Sequence, residues 1–131
     1  MNAPLSLLGR IGLSLLFVIS GWGKITGYAG TQQYMETMGV PGALLPLVIL
    51  LELGGGLAIA AGLFTRWIAI ALAVFSVATA AVFHADFGDA MQAISFWKNI
   101  AMAGGFLLLA ANGAGEFSID GMRSRRNGQA S

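Results

Sequence analysis

The chain has no cysteine, which excludes disulfides, thiol redox chemistry and thiolate metal sites built from its own residues. It has one histidine, His84; with lysines as its nearest basic companions, that makes a poor metal site, and none is expected. Charge is also scarce. Only 10% of residues are charged, against about 25% in an ordinary soluble domain. The first 24 residues lack a basic region ahead of their apolar run. They also lack a small-x-small cleavage site after it, because Trp22 and Lys24 stand where small residues would be needed, so this segment is expected to be retained.

Apolar residues fill the space that charge leaves, at 56% of 131 residues. Four runs stand out: Leu5 to Gly23, Leu44 to Phe64, Trp67 to Phe83 and Ala93 to Ala111. Each is near the ~20 residues that a helix rising ~1.5 Å per residue needs to cross a ~30 Å hydrocarbon core. The connections at Thr65/Arg66 and at His84 to Gln92 are short, so consecutive helices are expected to be antiparallel neighbours. The expected fold is all-α: a four-transmembrane-helix antiparallel bundle over residues 1–120, with residues 121–131 as an unstructured basic cytoplasmic tail. Between the first two spans, Thr31 to Met38 reads as a short interfacial helix with Tyr34, Met35 and Met38 on one face, stopped by Pro41.

Arg10, Arg66, Arg123, Arg125 and Arg126 fall on the side of the termini, and Lys24 and Lys98 on the other. The positive-inside rule then gives an N-in, C-in bacterial inner-membrane protein, with Trp22 and Trp97 in the outer aromatic belt and Trp67 in the inner one. Small residues at helical spacing mark packing stripes where helix backbones can approach: Gly54, Ala58 and Gly62; Ala69, Ala73, Ser76 and Ala80; Ala101 and Gly105.

One carboxylate interrupts the second span. Glu52 lies eight residues beyond Leu44, or ~12 Å deep, and an ionisable group at such depth needs a partner and is a functional-site candidate. Ranking by depth makes Lys98 the preferred partner and Arg10 the second, a structural ion pair in either case. Glu52, His84, Lys98 and Asn99 outline a polar pocket in the outer half, roofed by Trp22, Trp97 and Tyr34, with Lys24 at its edge. Glu52 and His84 are the candidate proton-handling groups, and the wider set Trp22, Lys24, Glu52, His84, Trp97, Lys98 and Asn99 is the candidate ligand-binding set.

These residues fall in segments that resemble a known family. "RIGLSLLFVISGWGKI" (10–25), "MGVP" (38–41), "LELGGGL" (51–57), "GLFTRW" (62–67), "FWKN" (96–99) and "GAGEFSID" (113–120) are similar, in order and spacing, to the DoxX/DoxD-type small bacterial inner-membrane proteins. The resemblance implies a four-helix membrane bundle and a link to quinone-coupled redox, since some relatives are subunits of a thiosulfate:quinone oxidoreductase. By position, Arg10, Lys24, Glu52, Lys98 and Asn99 fall on the family's polar motif places. With no cysteine, no histidine pair for haem and no flavin signature, electrons would have to be carried by a quinone or a redox-partner protein. Two readings follow: a quinone- or small-ligand-binding component of a membrane redox system, or a non-catalytic scaffold subunit held by its ion pair. A small-solute transporter is a third, and four short spans would support it only as a homo-oligomer. The lipid bilayer is the expected surrounding, and nucleic acid is not an expected partner.

Overall fold

The computed structural model describes residues 3–84 and 86–126, all helix, turn or loop. Helix α1 is Ala3–Thr26 and α2 is Tyr28–Thr37. Helix α3 is Gly42–Ala61, α4 is Thr65–Phe83, α5 is Ala90–Asn112 and α6 is Ile119–Arg126. Four of these, α1, α3, α4 and α5, are long and apolar enough to cross a membrane.

The boundaries depart from expectation where local chemistry decides them. α1 continues past Gly23 and takes in Lys24, and α2 follows after Gly27 alone. Thr65 and Arg66 are not a connection; they open α4. The turn lies one step earlier, where Gly62 adopts a left-handed backbone (φ 73°) and ends α3 in a Schellman arrangement. In it the Leu63 amide donates to the Ala58 carbonyl at 2.8 Å and the Gly62 amide to that of Ile59 at 3.1 Å. A side chain at Gly62 would sit 2.3 Å from Ser118 Cβ, so glycine is required there by space as well as by φ.

The segment expected to be an unstructured tail from residue 121 is helical through Arg126, and residues 127–131 lie outside the described residues. Asp120 anchors this final helix. Its carboxylate accepts from the Phe64 and Thr65 amides at 2.9 and 2.8 Å, satisfying free donors at the start of α4.

The bundle is built from two helix pairs. α1 packs along α3, and α4 along α5. The α4 stripe of Ala69, Ala73, Ser76 and Ala80 is fully covered, as expected of small residues at a close helix crossing. The stripe on α3 differs from expectation, because Gly54 is exposed and Gly55 and Gly56 are the buried glycines. On α5, Ala101 is exposed, while a side chain at Gly105 would meet Leu13 of α1 at 3.0 Å.

The two pairs meet at a core of Phe17, Ile59, Ala69, Leu72, Ala73, Ala103 and Phe106. Phe17 stands edge-on to Phe106 (5.4 Å between centroids) and to Phe75 (6.4 Å). Gly55 faces Leu72 and Ile68 across the α3–α4 seam. Toward α2 the helix pairs part, and the space between them is the candidate site.

Candidate functional site

The site begins with a change of helical pitch. Residues Leu50–Gly54 of α3 form a π-helical turn, between ordinary α-helix at Leu45–Ile49 and at Gly55–Ala61. Such single turns insert one extra residue and recur at functional sites. The inserted residue turns the helix below it, which is why Gly55 and Gly56 face the bundle instead of Gly54. Glu52 sits mid-turn and is 3% exposed.

α1 is close enough to answer it because Gly21 has no side chain. A Cβ there would lie 2.9 Å from the Leu53 backbone nitrogen. One turn further on, Lys24 Nζ meets Glu52 Oε1 at 2.7 Å and donates to Ser20 Oγ at 2.7 Å. Gly21→Ala is therefore expected to push α1 and α3 apart and cost about 1–3 kcal/mol, as overpacking does. Reversible unfolding in mixed micelles measures it, and wild-type stability would show that the contact relaxes freely.

The partner of Glu52 is thus Lys24, not Lys98 or Arg10. The reason is the direction in which helical side chains lean, toward their own helix N-terminus. Lys24 lies near the end of α1 and leans back into the bundle. Glu52, on an antiparallel helix, leans out to meet it. Lys98 lies near the start of α5, leans toward the bundle end, and is exposed. Arg10 leans away from Glu52, toward the other end.

The pair lines a cavity of about 760 Å³, within the range of small-molecule sites. Its polar wall comprises Ser20, Lys24, Thr31, Glu52, Thr79, His84 and Asn99. Its apolar wall reaches from Val40 and Met35 near α2 down to Leu16, Phe17, Phe75 and Met102. Leu16 and Lys24 are eight residues apart on α1, so the cavity extends ~12 Å along the bundle. Tyr34 of α2 stacks on Phe83 of α4 at 5.5 Å at the α2 end of the cavity. His84 Nδ1 lies 2.9 Å from Gln92 Oε1. A neutral ring donating from Nδ1 to that amide oxygen has Nε2 free as an acceptor.

Of the residues expected here, Lys24, Glu52, His84, Asn99 and Tyr34 are brought together. Trp22 and Trp97 do not roof the cavity: they are 61% and 62% exposed and absent from its wall, as is Lys98. Ser20, Thr31 and Thr79 join the wall without having been expected there, although Ser20 stands one turn before Lys24 on the same face.

Arg10 forms a separate centre at the opposite end and is 1% exposed. Nη1 donates to the Ile59 and Ala60 carbonyls at 3.0 and 2.9 Å, and Nη2 to the Phe117 carbonyl. A cation here satisfies the last carbonyls of α3 and complements the negative end of its dipole.

Four helices long and apolar enough to cross a membrane make this an integral membrane protein, with an ion pair and a ligand-sized cavity between them. The DoxX family model matches residues 5–85, and the chain belongs to the DoxX family. It is 55% identical over 120 residues to the Inner membrane protein YqjF of Escherichia coli K12, an alignment covering 92% of both chains. It is 39% identical over 123 residues to the Inner membrane protein YphA of the same organism, covering 88% of both. No solved structure matches the chain significantly.

Proposed function

We propose that this chain is a multi-pass inner-membrane protein with both termini in the cytoplasm. In this reading it binds the head group of a quinone or a similar small amphiphile in the cavity, as one component of a membrane redox system. The observation that carries the reading is the Lys24–Glu52 pair: a charged pair lining a largely apolar cavity inside the membrane-crossing part of the fold. A purely structural pair needs no chamber beside it. The inner-membrane location is supported by the names of both relatives, and the orientation by the arginine bias.

The lining suits such a head group. Lys24 Nζ and the Asn99 amide are donors for ring carbonyl oxygens. The Glu52 carboxylate and His84 Nε2 are acceptors for the hydroxyls of the reduced form, and so can take up its protons. Electrons enter and leave through a redox-partner protein, because this chain's own side chains offer no redox centre.

Native mass spectrometry of the purified protein with bacterial lipid extract tests the reading. A quinone-mass adduct is expected on wild type and on Lys98→Ala. It should be reduced at least about tenfold, the equivalent of one lost charged hydrogen bond, in Glu52→Gln and Lys24→Ala. No adduct on wild type, or adducts indifferent to both substitutions, would overturn it.

A further inference from the structure

The cavity is not walled evenly. At the seam between α1 and α5 its lining mixes Leu16 and Met102 with the polar Ser20 and Asn99. At the seam between α3 and α4 the lining clear of Glu52 is Val48 on α3, and Phe75, Ala78, Thr79 and Val82 on α4. Thr79 is the one polar residue among them, and its hydroxyl is turned back onto the Ser76 carbonyl of its own helix at 3.1 Å. Below this stretch Gly55 meets Leu72 and the seam is shut. Beside it Ala78 is exposed and Val82 is 40% exposed, although both line the cavity. All these residues lie within helices that cross the membrane, so the face they share with the surroundings is a hydrocarbon face. Apolar side chains cost nothing there, whereas any polar ligand group at that opening would be left without partners.

We infer that the α3–α4 seam is a side opening through which a lipid-dissolved ligand enters, its apolar chain lying across Val48, Ala78 and Val82 while its head reaches Lys24 and Glu52. The inference rests on the cavity being a ligand site and adds the ligand's class: a tailed amphiphile taken from the bilayer, not a water-soluble compound entering beneath α2. Chain and lipid are alike in polarity, so the seam selects by shape. A tail has somewhere to go only if this wall stays open.

The test compares two probes in phosphatidylcholine nanodiscs, a tail-less dimethoxy-methyl-benzoquinone and the same ring with a decyl chain. Each is titrated against wild type, Ala78→Trp, Val82→Trp and Leu16→Trp. Taking the variant-to-wild-type ratio for each probe cancels membrane partitioning. Ala78→Trp and Val82→Trp are expected to weaken the decyl probe about tenfold or more, the usual size of an overpacking clash. The tail-less probe should change less than about twofold, within the range of neutral surface substitutions. Leu16→Trp narrows the cavity itself from the other seam, so it should weaken both probes alike and not the decyl probe selectively. Equal losses for both probes with Ala78→Trp and Val82→Trp, or selective loss of the decyl probe with Leu16→Trp alone, would overturn the side opening while leaving the cavity a ligand site. Binding of neither probe to wild type would overturn both readings.

Discussion

Arg10→Ala is expected to be strongly destabilising, lowering unfolding free energy by about 3–5 kcal/mol, the order expected when three carbonyls in a buried setting lose their charged donor at about 1–3 kcal/mol each. The guanidinium is the shared donor for carbonyls of Ile59, Ala60 and Phe117. Removing it leaves the end of α3 unsatisfied and releases the segment that carries Asp120. Asp120 in turn caps α4, so the loss should spread through α3, α4 and α6 as one unit. Arg10→Lys keeps the charge but not the planar fork and should recover only part of the stability. SDS-driven unfolding in mixed micelles measures both, and an Arg10→Ala protein within about 1 kcal/mol of wild type, the size of an ordinary surface effect, would show that the network contributes little.

The second large effect concerns the ion pair and separates its structural from its binding role. Lys24→Met strips Glu52 of its cation in a buried setting and should cost about 3 kcal/mol. Glu52→Gln keeps a hydrogen-bond acceptor for Lys24 and should cost less, on the order of 1–2 kcal/mol. Combining them removes both charges and should return stability toward wild type, giving a coupling of about 1–3 kcal/mol in the double-mutant cycle. The double variant should nonetheless fail to bind a quinone head group. A folded double variant that binds like wild type would remove the pair from the binding site, and additive costs would show the charges to be independent.

How much of this was legible in the sequence depends on the scale asked of it. The four spans were, because crossing hydrocarbon demands length and composition together, and few other folds tolerate so little charge. Glu52 was legible as the anomalous residue for the same reason. Its partner is not legible from depth, because depth treats side chains as points on a rod and ignores the direction in which they lean. Helix direction makes it legible: a basic residue near the C-terminal end of one span leans in, and one near the N-terminal start of another leans out. The π-turn had no such signal. "LLELG" reads as ordinary helix, and the turn packs Leu53 against Gly21, a contact between residues far apart in the chain. The Arg10 network was hidden for a related reason, since its acceptors are backbone carbonyls that any sequence carries. The ordered segment after Asp120 was underestimated because its composition is polar; it is held by hydrogen bonds to Gly62, Phe64 and Thr65.

Arg10 also sets a timetable for synthesis. Its first acceptor lies 49 residues downstream and its last 107. At roughly 5–20 residues per second, several seconds separate the emergence of α1 from that of Phe117. An arginine in an inserting helix disfavours entry into the bilayer, by about 2.5–3.5 kcal/mol at the helix centre and by less toward the end where Arg10 stands. α1 therefore has reason to linger at the insertion machinery or the headgroup region until α3 arrives to accept its charge. The first helix made is then among the last to be seated, and the final segment of the chain locks it in place.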